Sequence, residues 1–223
     1  MPALLAEPPP TALPRTLRDE APDGEASVRP LTVDEFLAMF DRGILSEEEP
    51  VELLDGQIVY RFVEGPVTEG TDANPKPKHV VTNLLAYNLF AQAVEGFDAC
   101  VLMGGPTRLR EGRLPLPDVM IARGDLRDYT DRHPEPADVI LCVEVSDTTL
   151  NKDTGRKLRE YASAGLSTYV VVDLVHERIE VFTDPRDDGT YRSRQTHSPG
   201  DDVPLSLRLI GDVVFAVDAV LPG

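Results

Sequence analysis

The chain has 223 residues and a formal net charge of −17, from 22 Lys and Arg against 39 Asp and Glu. Its 41% hydrophobic and 27% charged residues are globular proportions, enough for one ordinary domain with a buried core. The charge argues against non-specific affinity for nucleic acid. No apolar run reaches the roughly 18 residues of a membrane span, and the N-terminus lacks a basic, apolar leader, so a cytoplasmic protein is expected.

Residues 1–30 hold seven prolines and almost no aromatic or β-branched side chains, which predicts a flexible tail before a single domain over 31–223. Order begins at Leu31. Thr32 and Glu35 have the spacing of a capping box, Leu31 and Phe36 that of a hydrophobic staple, and Gly43 suits the end of the short helix. After an acidic link, VELLDGQIVYRF carries Asp55-Gly56 between apolar segments, a strong hairpin signal.

Residues 64–77 read as a loop. A helix is expected from His79 to Glu95, with Val80, Leu84, Tyr87, Leu89, Ala91 and Val94 as its apolar spacing. Ala99–Met103, Thr107–Arg110 and Asp118–Ala122 read as short strands, and 123–137 as a charged surface loop. DVILCVEV, Asp138–Val145, is a nearly continuous apolar run of the kind buried on both faces of a sheet. A helix over Asn151–Ala164 and a strand over Thr168–Asp173 complete a strand–helix–strand unit, hence a parallel crossover. Arg178–Thr183 pairs next, followed by a polar hairpin and a short apolar segment. The fold class is α/β, a mixed sheet flanked by helices.

Three places combine into one chemistry. Asp118 follows Pro117 at a strand start, Glu144 stands near the end of the next strand, and Lys157 lies on the helix after it. Two carboxylates at neighbouring strand ends can hold Mg²⁺ or Mn²⁺, and an ammonium beside them can orient water or stabilise charge on a phosphoryl group. The residues alone also allow a plainer reading. Asp118 would then only open a strand, Glu144 would end a buried run at solvent, and Lys157 would pair with Asp153 four residues back on a wet helix face. Against this, a carboxylate inside DVILCVEV is costly to bury without a cation or strong donors. Cys100 and Cys142 are too isolated for a zinc site and too few for a disulfide scaffold.

The order and spacing of Glu52 in VELLDGQIV, His79, Pro117-Asp118-Val119, Val143-Glu144-Val145-Ser146, Asp153 with Lys157 and Tyr161, and Gly165 with Tyr169 and Asp173 resemble the Uma2 family. That family lies within the PD-(D/E)XK nuclease superfamily. The resemblance runs from about Leu31 to Phe215 and implies a restriction-endonuclease-like core with an added N-terminal helix and hairpin. It implies Asp118 and Glu144 as metal ligands for Mg²⁺ or Mn²⁺, a lysine as third catalytic member, and DNA as substrate. Ser146 stands where the plain pattern has lysine; the resemblance implies that the lysine comes instead from the following helix, as Lys157 or alternatively Lys152. Glu52 is either an extra acid of the site or an outward hairpin residue, and His79 an auxiliary phosphate donor or a capping residue; Tyr161 and Tyr169 read as packing. Residues 31–75 carry eleven acidic and two basic side chains, residues 76–113 five basic and three acidic. A DNA groove would therefore bind weakly by itself, take its basic surface from a partner, or form in a homodimer that gathers residues 76–113 of two chains. A nuclease fold without catalysis and a hydrolase of a small phosphorylated molecule are the competing readings.

Overall fold

The computed structural model describes residues 29–68 and 71–223. The expected tail lies outside these residues except for Arg29 and Pro30. Helix α1, Val33–Asp41, starts on the full capping box: Thr32 Oγ1 accepts from the Glu35 N–H and Glu35 Oε2 from the Thr32 N–H, each at 3.0 Å. Val33 and Phe36 turn inward from it onto strand β1, Val51–Leu54, which pairs antiparallel with β2, Gln57–Tyr60.

The β1–β2 turn needs left-handed backbone at both central residues, with φ of 47° at Asp55 and 69° at Gly56. Gly56 is also crowded. A Cβ there would stand 2.8 Å from Pro30 Cα and 2.9 Å from the Leu31 nitrogen. Gly56→Ala is therefore expected to cost about 2–4 kcal/mol, from backbone strain plus a clash with main chain. Denaturant unfolding measures it; a change below about 0.5 kcal/mol would mean that the segment before α1 simply yields.

The main sheet has six strands in the order β3-β4-β5-β6-β7-β8: Ala99–Met103, Val119–Arg123, Val139–Ser146, Thr168–Asp173, Arg178–Pro185 and Tyr191–His197. β5 and β6 are parallel and every other neighbouring pair is antiparallel. The apolar run of β5 is buried along its whole length because both faces of the sheet are covered. Helix α2, Pro77–Ala93, and the hairpin of β9, Asp202–Leu207, with β10, Gly211–Ala216, cover the face of Val143 and Val145. Tyr161 of α3, Leu158–Ser163, covers the face of Cys142 and Met120. Among the described residues no helix is long and apolar enough to cross a membrane.

Two expectations are corrected. Thr107–Arg110 is not a strand: Pro106 and Pro115 interrupt pairing, and the segment folds into a tight loop through Thr107 N–H to Pro115 O and Leu109 N–H to Arg113 O. The face of α2 is also rotated from the expected one. His79, Thr82, Ala86 and Phe90 are its buried residues, whereas Val80 and Leu84 are 42% and 46% exposed.

Candidate active site

The site stands where β4 and β5 begin and end, under a widened helical turn. Val119 pairs with Val143, so Asp118, one step earlier, faces Glu144, one step later, across an antiparallel pair. Such neighbours share one face of the sheet with Cβ atoms roughly 4.5–5.5 Å apart. The Val145 N–H donates to Asp118 Oδ2 at 2.8 Å, which fixes that carboxylate against β5.

The helix after β5 opens as a π-helix, Lys152–Lys157, before becoming α3. Its wider turn points Lys152, Asp153 and Lys157 all inward. The Lys157 ammonium lies 2.8 Å from Glu144 Oε1 and 3.0 Å from Glu52 Oε2. The solvated pair with Asp153 that helical spacing alone allowed does not form. Asp153 is buried and accepts from the hydroxyls of Ser146 and Thr149, each at 2.6 Å.

Glu52 is fully buried and faces inward from β1, not outward. Besides Lys157 it accepts from the Leu116 N–H at 3.1 Å. The hairpin that carries it is pinned to the helix by Arg156 on Leu54 O and by Glu160 accepting from the Asp55 N–H at 3.1 Å. Lys152 takes a different post. Its ammonium donates to Tyr60 O at 2.9 Å and to Arg61 O, and only approaches Glu52 Oε1, at 3.4 Å. Lys157 is thus the lysine that touches Glu144, and Lys152 the one that fastens the turn to β2.

His79, in the first turn of α2, is buried with Nε2 3.2 Å from Asp118 Oδ1. Of the two readings open for it, auxiliary donor or capping residue, capping is not seen: its partner is a carboxylate of the site. Arg61 Nη2 reaches the same oxygen at 3.2 Å and Leu116 O at 3.4 Å. Sequence reasoning passed over Arg61. It also took Tyr161 as packing alone, but the Tyr161 hydroxyl donates to Glu144 Oε1 at 2.7 Å. The one available signal for Tyr161 was its spacing of four residues from Lys157.

Asp118, Glu144, Asp153 and Lys157, together with Arg61, Phe62 and His79, line a cavity of about 10 Å³, the space of one water or one ion. The electrostatics follow from burial. Burial would raise Asp118, but the His79 hydrogen bond and charge, with Arg61 and Lys157, outweigh it and hold the carboxyl down to about 2. Glu144 goes the other way. Burial, reinforced by Asp118, Asp153 and Glu52, overcomes Lys157 and pushes it up to about 8. Burial would lower Lys157, but the surrounding carboxylates drive it far above the usual lysine range, so it stays an ammonium.

Four buried carboxylates, Glu52, Asp118, Glu144 and Asp153, thus face three cations, Arg61, Lys152 and Lys157. Burial first, and then the neighbouring carboxylates, leave a proton on Glu144 at neutral pH. A hard divalent cation fits this donor set, since it would supply the missing charge to oxygen ligands. Among the described residues no three His, Cys, Asp or Glu side chains form a ready-made cage. A cation here would rest on Asp118 and Glu144.

The Uma2 family model, described as a putative restriction endonuclease, matches residues 33–218. Among solved structures, a crystal structure of a putative nuclease belonging to DUF820 from Anabaena variabilis ATCC 29413 superposes with a TM-score of 0.58 at 16% identity, over 86% of this chain and 98% of that one. At that identity the likeness is one of fold. No curated protein matches the chain.

Proposed function

The chain belongs to the Uma2 family, and from that premise we propose that it hydrolyses phosphodiester bonds in DNA with Mg²⁺ or Mn²⁺ as cofactor. One observation carries the reading: Lys157 bridges Glu144 and Glu52 at 2.8 and 3.0 Å in a cavity that Asp118 also lines. Asp118 and Glu144 would hold the cation. When bound, the cation supplies Lewis-acid charge at the scissile phosphate and makes a bound water more acidic.

The remaining roles belong to the chain's own side chains. Lys157 keeps its proton and offers N–H groups to charge that develops on the phosphoryl oxygens. Glu52 is a positioning residue that holds this ammonium from the far side. Tyr161 orients Glu144, and His79 and Arg61 keep Asp118 ionised and in place. DNA is drawn from the family's description. The net charge of −17 favours a second reading, a small phosphorylated substrate on the same residues.

The test is cleavage of supercoiled plasmid, linear duplex and single strands by the purified chain. Cutting is expected with Mg²⁺ or Mn²⁺, and none in EDTA or with Glu144→Gln. Cleavage at an undiminished rate in EDTA or in the variant would overturn the reading.

A further inference from the structure

Beside the catalytic cavity lies a second, larger cleft of about 270 Å³. The two share Arg61, Phe62, His79 and Asp118, so whatever fills the cleft sits next to the reacting centre. Its outer wall is apolar. Val80, Leu84 and Met103 line it and are 42%, 46% and 50% exposed. A scattered exposed apolar side chain needs no explanation, but three of them around one cleft mark a binding surface.

The cleft also has an aromatic platform. The Arg61 guanidinium lies 4.9 Å from the centroid of the Phe62 ring, and Phe62 meets His79 edge-on with centroids 5.3 Å apart. Asn83 lines the same cleft, and its amide oxygen is buried with no hydrogen-bond partner among the described residues. A flat aromatic with a stacked guanidinium, an aliphatic rim and one unspent amide are what an unpaired nucleobase requires: π-faces to stack on and one edge contact. The volume suits one such fragment better than a larger ligand. The charge of the chain points the same way. A surface with net charge −17 gains little from phosphates, so affinity for a nucleic acid has to come from apolar and stacking contacts.

We propose that this cleft binds one unstacked, unpaired base of a DNA strand beside the scissile phosphate, so that the substrate is single-stranded or locally opened DNA and not continuous duplex. The placement beside a scissile phosphate rests on the nuclease reading; the binding of the base does not.

A short single-stranded DNA carrying 2-aminopurine, whose fluorescence is quenched on stacking with an aromatic, tests the binding directly. In EDTA nothing is cut. The single strand, and a duplex with one unpaired 2-aminopurine, are expected to bind more tightly than the fully paired duplex. Leu84→Ser combined with Met103→Ser should weaken that binding about tenfold or more, because together they remove most of the apolar rim that the base would cover. Both side chains are about half exposed, so the fold tolerates the change. Val175→Ser, an equally exposed apolar residue elsewhere, should have no effect. Equal binding of paired and unpaired DNA, or an unaffected double variant, would overturn the inference. If plasmid is cut with Mn²⁺ but the probe is not bound, the cleft assignment fails and the nuclease reading stands. If the probe binds through the cleft but no DNA is cut with either cation, the cleft assignment stands and the nuclease reading fails.

Discussion

Lys157→Met is expected to lower phosphodiester cleavage by about 10²–10³ and to destabilise the fold by about 3–5 kcal/mol. Both effects come from one contact set. The ammonium is 98% out of solvent and meets Glu144 at 2.8 Å and Glu52 at 3.0 Å. Its removal leaves two buried carboxylates without their cation, which is a different event from cutting a surface pair worth a few tenths of a kcal/mol. The sign with pH follows. Without Lys157 the Glu144 carboxyl rises further and buried Glu52 loses the main cation that holds its carboxyl down, so the fold prefers both protonated. The destabilisation should therefore be small near pH 5 and grow as pH rises toward 8. Lys152→Met is the companion variant. It removes hydrogen bonds to Tyr60 O and Arg61 O, so it should loosen the hairpin but reduce the rate less than Lys157→Met does. Equal rates for wild type and Lys157→Met would remove Lys157 from the mechanism.

Glu144→Gln is expected to stabilise the metal-free protein at alkaline pH while abolishing activity. Glu144 titrates at about 8 in the fold against 4.5 for the free side chain, a shift set by burial and then by the neighbouring carboxylates. The folded state thus binds one more proton than the unfolded state between those values, and stability falls as pH rises through that window by a few kcal/mol. Gln mimics the neutral carboxyl and has nothing to ionise. In EDTA the melting temperature of wild type should drop from pH 5 to pH 8, while that of Glu144→Gln should change much less. Asp118 sets the acid limit with opposite sign: its carboxyl is held down to about 2, so its contribution is present above pH 3.8 and is lost as pH falls toward 2. A wild-type melting temperature that rises from pH 5 to pH 8 in EDTA would contradict this charge balance.

The elements legible in the sequence are those whose cause is local. The Thr32–Glu35 capping box, the Asp55-Gly56 turn and the apolar run of β5 each specify themselves within a few residues, and each forms as expected. The face of α2 was not legible because Val80, Val81, Leu84, Leu85 and Leu89 place apolar side chains all round the helix, and tertiary packing chose among them. The π-helical opening of the next helix, which turns Lys152, Asp153 and Lys157 inward, leaves no periodic trace either. Asp118, Glu144 and Lys157 could be paired from strand order. Arg61 could not, since it meets Asp118 across 57 residues of chain and stands in an ordinary hairpin end. Glu52 could be suspected but not oriented, because a residue slip in a two-stranded hairpin exchanges its inner and outer faces.

The central claim is that Asp118 and Glu144 form a divalent-cation site with Lys157 beside it. Titration of the metal-free chain with Mn²⁺, followed by electron paramagnetic resonance of the free ion, tests this without any substrate. Wild type should take up one Mn²⁺ per chain near pH 8, displaced by Mg²⁺, and more weakly at pH 6 because Glu144 must first give up its proton. Glu144→Gln, which keeps the volume and the Tyr161 hydrogen bond, should lose that uptake while remaining folded. Saturable Mn²⁺ uptake that is unchanged in Glu144→Gln, or no uptake by wild type at pH 8, would contradict the account.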